Sequence, residues 1–184
     1  MIFFIFPLLF LHFSSGQVLS LGKCPTNVQP MQDFNATQYL GEWYEYARYF
    51  AVFEFDGECV TATYGAGENG TVKIKNELRN GLLKNHLSIT GIATFVESPT
   101  VAKLSVVFPS LPVRFAAPYW ILKTDFDSYA VVWSCVQILV FNSQNTWILT
   151  RNRIPSKETL ENAYNVLKTQ NIANLLRKTN QKDC

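Results

Sequence analysis

The chain has 184 residues, 48% of them hydrophobic and 16% charged, with a formal net charge of +2. That length suits one domain with a real core, and its scattered Lys and Arg side chains exclude the basic stripe that nucleic acid requires. Four cysteines without a Cys-x-x-Cys pair, and two histidines, exclude the usual zinc-site spacings, so no metal is expected.

The first element is the apolar run MIFFIFPLLFLHF, too short to span a bilayer as a helix. Ser14 and Gly16 behind it suit signal-peptidase cleavage, so 1–16 is expected to be a signal peptide and 17–184 a single exported domain. Its n-region has no Lys or Arg, and the initiator amine would supply the positive charge. With no second anchor, the expected destination is extracellular. Cys24, Cys59, Cys135 and Cys184 form an even set, which in a secreted chain predicts two disulfides. Sequons at Asn35 and Asn69 are then candidate glycosylation sites.

From Trp43 to Arg151, short β-favouring runs alternate with turn residues. Strands are predicted near 43–50, 58–65, 71–79, 85–96, 101–108, 117–124, 128–137 and 145–151. Breaks fall at Asp56-Gly57, Glu68-Asn69-Gly70, Asn80-Gly81, Ser98-Pro99, Pro109 to Pro112, Asp125 to Ser128 and Asn142 to Asn145. Asn-Gly pairs signal hairpins because both residues tolerate positive φ. Eight consecutive strands without a crossover helix predict an all-β, up-and-down antiparallel barrel, with a two-sheet sandwich as the alternative. Alternation places Val72, Ile74, Asn76 and Leu78 on one face, opposite Lys73, Lys75 and Glu77. Strands six to eight are apolar on both faces and need an outer cover. A C-terminal helix capped by Ser156 supplies one, with Leu160, Ala163, Tyr164 and Leu167 as its apolar stripe.

Three motifs carry a family resemblance. Gly41-Glu42-Trp43-Tyr44 opens the first strand, Thr124-Asp125-Phe126 followed by Tyr129 makes the turn between strands six and seven, and Arg151 closes Trp147-Ile148-Leu149-Thr150-Arg151. In this order and spacing they resemble the lipocalin signatures, in particular the apolipoprotein D and insect bilin-binding, Lazarillo-like branch. The resemblance implies that Gly41, Trp43, Thr124, Asp125 and Arg151 are scaffold, with the Arg151 guanidinium stacked on the Trp43 indole at the closed end. Asp125 would cap its turn.

Cys59 and Cys135 would lie three strands apart in such a barrel, ~14 Å at ~4.8 Å per strand, beyond the ~7 Å that a bridge allows. That removes one of three pairings and leaves two. The resemblance implies Cys24–Cys135 with Cys59–Cys184.

Alternation extrapolates to an inner wall of Ala47, Val60, Ala62, Tyr64, Ile74, Asn76, Leu87, Ile89, Leu104, Val106, Phe108, Tyr119, Ile121, Ser134 and Trp147. The ligand-binding candidates are Tyr64, Asn76, Leu104, Val106, Phe108, Tyr119, Ser134 and Trp147, the family pattern implying Tyr64, Asn76, Tyr119 and Trp147. Arg79 would reach the mouth only through a bulge near Asn80. Burying a chain of about fourteen carbons contributes up to ~11 kcal/mol, enough for micromolar binding after ~4–5 kcal/mol of association cost. With no clear buried cation, neutral or weakly polar guests are favoured. No cofactor is required; a bilin or a lipid, such as a sterol, retinoid or fatty acid, is the candidate bound molecule.

Two apolar mouth loops, 49–55 and 108–115, suggest contact with a membrane or lipoprotein surface during exchange. Binding and transport of a small hydrophobic ligand is thus the expected function; a protein-binding or inhibitory role through the loops is the alternative. An enzyme is not expected. His86 has no partner histidine after cleavage, Met31 falls outside the predicted barrel, and paired cysteines would leave no cavity thiol for isomerase chemistry.

Overall fold

A computed structural model describes residues 18–49, 57–112 and 115–184. The expected signal peptide lies outside them, as do Phe50–Phe55 of the first mouth loop and Val113 and Arg114 of the second. The chain opens with β1 (Val18–Leu21) and a short helix α1 (Ala36–Tyr39). Eight barrel strands follow: β2 (Gly41–Arg48), β3 (Gly57–Ala66), β4 (Val72–Asn80), β5 (His86–Phe95), β6 (Lys103–Val107), β7 (Ala117–Thr124), β8 (Tyr129–Ile138) and β9 (Phe141–Thr150). Each pairs antiparallel with the next, and β9 returns to β2, so the sheet closes. Helix α2 (Lys157–Thr169) and a short strand β10 (Arg177–Lys178) complete the fold.

Period-two patterning explains the closure. In β4, Val72 and Ile74 are buried while Lys73 and Lys75 are exposed. In β8, Ala130 and Val132 join the interior cluster, and Tyr129, Val131, Trp133 and Cys135 join a second cluster outside. Strand β8 therefore needs cover on both faces, and α2 supplies the outer one. Ser156 caps α2 by accepting from the Thr159 amide at 3.1 Å. Its buried stripe is Ala163, Val166 and Leu167; the expected Leu160 and Tyr164 are half-buried and flank that stripe. The buried face of the helix packs against Tyr129, Val131 and Trp133 in the outer cluster, with Tyr164 at its margin.

Two turns differ from expectation. The break expected at Asn142 to Asn145 lies inside β9; the turn is Leu139-Val140, with Leu139 left-handed (φ 53). Asn142 is buried and its amide donates to the carbonyls of Gly22 (3.2 Å) and Lys23 (3.1 Å), so the segment entering β1's neighbourhood holds these polar residues in the ladder. At Asn80-Gly81 the hairpin is a wider loop. The Asn80 side chain accepts from the Leu82 and Leu83 amides, and the left-handed residue is Lys84 (φ 54). The Asn69-Gly70 turn does take positive φ at both residues (53 and 76).

The disulfides are Cys24–Cys135 and Cys59–Cys184, with Cα–Cα separations of 6.0 and 5.5 Å. Met31 is not outside the barrel. It packs against the interior cluster, bonded through its backbone to Ile121 and Ala102, because the 28–40 segment folds across the closed end.

Candidate functional site: the barrel interior

The closed end is built on Arg151. Its guanidinium carbon lies 3.8 Å from the Trp43 ring centroid. Its nitrogens donate to the carbonyls of Phe126 (3.0 Å), Glu42 (2.9 Å), Gln38 (3.1 Å) and Leu40 (2.9 Å). Gly41 beside it has φ +99, and a Cβ there would stand 3.2 Å from the guanidinium. Asp125 caps the adjoining turn by accepting from the amides of Ser128 and Tyr129, and Thr124 donates to the Tyr129 carbonyl. These five signature residues hold the barrel shut at one end.

Above them lie Tyr39, Tyr64 and Tyr119. The Tyr64 and Tyr119 hydroxyls are 2.5 Å apart, and those of Tyr39 and Tyr119 3.4 Å. Desolvation pushes all three upward, Tyr64 to about 12, so the phenols stay neutral and act as hydrogen-bonding groups. Tyr39 is buried here because α1 inserts it, capped by the Asn35 side chain accepting from the Gln38 amide. Phe34 packs on its ring at 5.4 Å. Between these rings, Leu104 and Ile121 remains a void of about 10 Å³, room for roughly one water. The floor is packed.

The open half differs. Ala62, Asn76, Ile89, Phe108 and Trp147 lie on the inner face but are only half-buried. Cross-strand pairing fixes that face: Trp43 with Ala62, Ala62 with Asn76, and Asn76 with Ile89. Leu104 and Val106 are buried lower on the same wall, and Ser134 is buried opposite Asn145. Gly91 makes room for the Phe108 ring, which an added Cβ would meet at 2.8 Å. The Asn76 Oδ1 is buried without a hydrogen-bond partner.

Alternation misplaces two residues, Ala47 and Arg48. A bulge between Glu45 and Ala47 puts Ala47 opposite Ile148, on the outer face, and Arg48 opposite Trp147, on the inner one. Glu45, opposite Leu149, also points inward and pairs with Arg48. The inner face therefore does carry a largely buried cation, matched by its own carboxylate. The signal was present in the spacing Tyr44, Tyr46, Tyr49, an interval of three where a flat strand keeps two. Arg79 does not enter the mouth, since the bulge lies in β3 between Glu58 and Thr61 rather than near Asn80. It binds Glu58 at 3.1 Å and the Asp183 carbonyl at 3.0 Å. Tyr49, expected in a mouth loop, is buried under the outer cluster and donates to the Ala173 carbonyl at 2.5 Å. Tyr39, Phe34 and Arg48 are interior residues that alternation alone did not indicate, whereas Glu45 shares the parity of Trp43.

A closed eight-stranded antiparallel barrel, plugged at one end by the 28–40 segment and buttressed by one outer helix, defines a lipocalin-type barrel. The chain belongs to the lipocalin-like family, whose domain model matches residues 34–181. Apolipoprotein D of Cavia porcellus is 40% identical over 174 residues, covering 93% of this chain and 89% of the relative. Lazarillo protein of Schistocerca americana is 40% identical over 156 residues, covering 82% and 72%. Among solved structures, insecticyanin of Manduca sexta superposes with a TM-score of 0.79 at 22% identity, over 91% of this chain and 90% of that one. Lobster apocrustacyanin A1 gives 0.68 at 23%, over 88% and 94%.

Proposed function

We propose that this protein is secreted and binds and transports one small hydrophobic molecule in the open half of its barrel. The observation that carries the reading is the contrast within the interior. The floor is packed around the three tyrosines, while Ala62, Asn76, Ile89, Phe108 and Trp147, nearer the mouth on the inner face, stay partly exposed, which is what a wall around a guest requires. Tyr64, Asn76, Leu104, Val106, Phe108, Tyr119, Ser134 and Trp147 would make the wall: mostly apolar, with a few neutral polar groups that orient a guest. The orphaned Asn76 Oδ1 favours a guest with a hydroxyl or N–H donor, since leaving that oxygen unpaired costs about 1–3 kcal/mol. A bilin or a lipid meets this description. A carrier rather than an enzyme is favoured by the pairing of all four cysteines and by the exposed position of His86 at a strand end. Extracellular glycans at Asn35 and Asn69 would fit, both residues being exposed.

The rim supports a second part of the reading. Leu82, Leu83, Leu111, Phe115, Leu139 and Val140 are all exposed and all lie in connections at the open end. Such an apolar collar fits contact with a membrane or lipoprotein surface, where a poorly soluble guest is exchanged.

Delipidated protein titrated with retinol, a sterol and a fatty acid should bind one guest per chain with micromolar or tighter affinity, read by Trp147 quenching and native mass spectrometry. Asn76→Leu should weaken a hydroxylated guest about tenfold while stabilising the empty protein. Failure of every probe to saturate at one per chain would sink the proposal.

A further inference from the structure

We propose that residues 177–184 form a releasable stave in the barrel wall, and that thiol–disulfide exchange at Cys59–Cys184 opens the seam between β2 and β3 for sideways exit of the guest. The inference rests on the carrier reading above. The β2–β3 ladder contains only four pairs, from Gly41–Tyr64 to Tyr44–Thr61. Beyond them β10 takes over β2, Lys178 pairing with Ala47 and Arg177 with Arg48. The Thr179 amide then donates to the Tyr46 carbonyl at 2.9 Å, and the Cys59 amide to the Asn180 carbonyl at 2.8 Å. Gln181 spans the remaining gap, its amide donating to the carbonyls of Glu45 (3.0 Å) and Val60 (2.8 Å). The segment thus lies between two strands that elsewhere touch.

Thr179 faces the interior. Its hydroxyl meets the Glu45 carboxylate at 2.5 Å and the Arg48 guanidinium at 3.3 Å, and Arg48 shares its face with Trp147. Removing the stave would leave β2 and β3 roughly two strand spacings, ~10 Å, apart along the open half, wide enough for an alkyl chain or a flat ring. The strands are not free to zip together in its place. The bulge between Glu45 and Ala47, and that at Cys59 with its left-handed φ of 56, displace the two edges from a common register.

What holds the stave is polar and covalent rather than apolar. Thr179 is the one buried residue of 177–184 among the described residues. Asn180 donates to Glu58 at 2.9 Å, Arg79 to the Asp183 carbonyl, and Arg153 to Gln181 at 2.8 Å. These bonds exchange readily with water, so the tether at Cys59–Cys184 keeps their local concentration high. Cys184 is exposed, whereas Cys135 of the other bridge is buried beside Trp133 in the outer cluster, so a reductant reaches the stave's bridge first. The step needs a thiol reductant of the glutathione or dithiol class. Its thiolate attacks one sulfur, the Cys59–Cys184 bond breaks, a second thiol resolves the mixed disulfide, and two protein thiols and one reductant disulfide result.

The test loads the oxidised protein with a fluorescent polyene fatty acid and follows release by stopped flow, before and after limited treatment with glutathione. Alkylation mapping should find Cys59 and Cys184 labelled first. Release should then accelerate about tenfold or more, and a Cys59→Ser, Cys184→Ser double variant should release at the faster rate without reductant. Hydrogen exchange needs no guest and reads the seam directly. Amides at positions 59 and 179 should lose protection on reduction while those of β6–β8 keep theirs. If this probe, retinol and a sterol all fail to bind, the carrier reading fails while the exchange arm still judges the stave. Unchanged release together with retained protection at 59 and 179 after reduction would overturn the proposal, and so would global unfolding on loss of this one bridge.

Discussion

At the scale of single residues, Arg151 concentrates the physical argument. One planar guanidinium satisfies carbonyls from α1, β2 and the β7–β8 turn and lies flat on Trp43, so it joins three chain segments that otherwise meet only at the closed end. An ammonium cannot fan out in this way, because its three donors point from one atom. Arg151→Met should cost about 2–4 kcal/mol in urea unfolding, and Arg151→Lys should recover less than half of that loss. Gly41 belongs to the same contact. Its φ of +99° strains any L side chain, and a Cβ there would crowd the guanidinium at 3.2 Å, which is why the motif opens with glycine.

At the scale of elements, irregularities decide what the barrel presents. The β2 bulge exchanges Ala47 for Arg48 on the inner wall, and the β8–β9 turn at Leu139-Val140 pushes two apolar side chains into solvent. A hairpin tip with Leu139 at 92% exposure makes no contribution to the core, so its apolar character is available for a partner surface. Liposomes of neutral lipid should co-sediment the protein, and Leu139→Ser with Leu83→Ser should lower the bound fraction several-fold without changing thermal stability. Equal sedimentation of variant and parent would count against rim contact. Helix α2 works in the opposite sense, hiding the apolar outer face of β8 that the two-sided patterning creates.

Across the whole molecule, titration brackets the stable range. A hydrogen bond from Lys84 leads the effects that hold Glu58 below its ordinary 4.5, aided by Asn180 and Arg79 against the cost of burial. For Asp125, burial is the largest influence and raises it; the Ser128 hydroxyl and the Tyr129, Ser128 and Asp127 amides together outweigh that and hold it below 3.8. Both carboxylates are depressed in the fold, so their stabilisation is complete above those ordinary values and is lost as pH falls through the folded ones. The three interior tyrosines are shifted the other way. Their contribution is complete below pH 10.0 and is lost as pH rises toward about 12 for Tyr64, when the unfolded chain can ionise and the folded one resists. Melting temperature should therefore be flat from about pH 6 to 9 and fall on both sides, with the phenolate absorbance of the three tyrosines appearing only on alkaline unfolding. Early, reversible ionisation of all eight tyrosines in the folded protein would contradict a dry floor.

The amino-acid sequence by itself determined the number of barrel strands, the outer helix and most of the inner wall, and with the family resemblance the signature residues at the closed end. Those features depend on local signals: period-two alternation, a Ser cap, an Asp turn and residues whose chemistry suits one position. Tertiary structure decided the rest. Whether Ala47 or Arg48 faces the cavity depends on one extra residue in β2, whose effect appears only against the register of β9. The burial of Tyr39 and Met31 depends on where the 28–40 segment crosses the barrel end. The passage of 177–184 between β2 and β3 joins residues more than a hundred positions apart, as the 125-residue separation of Cys59 and Cys184 shows, and no local periodicity encodes such a meeting.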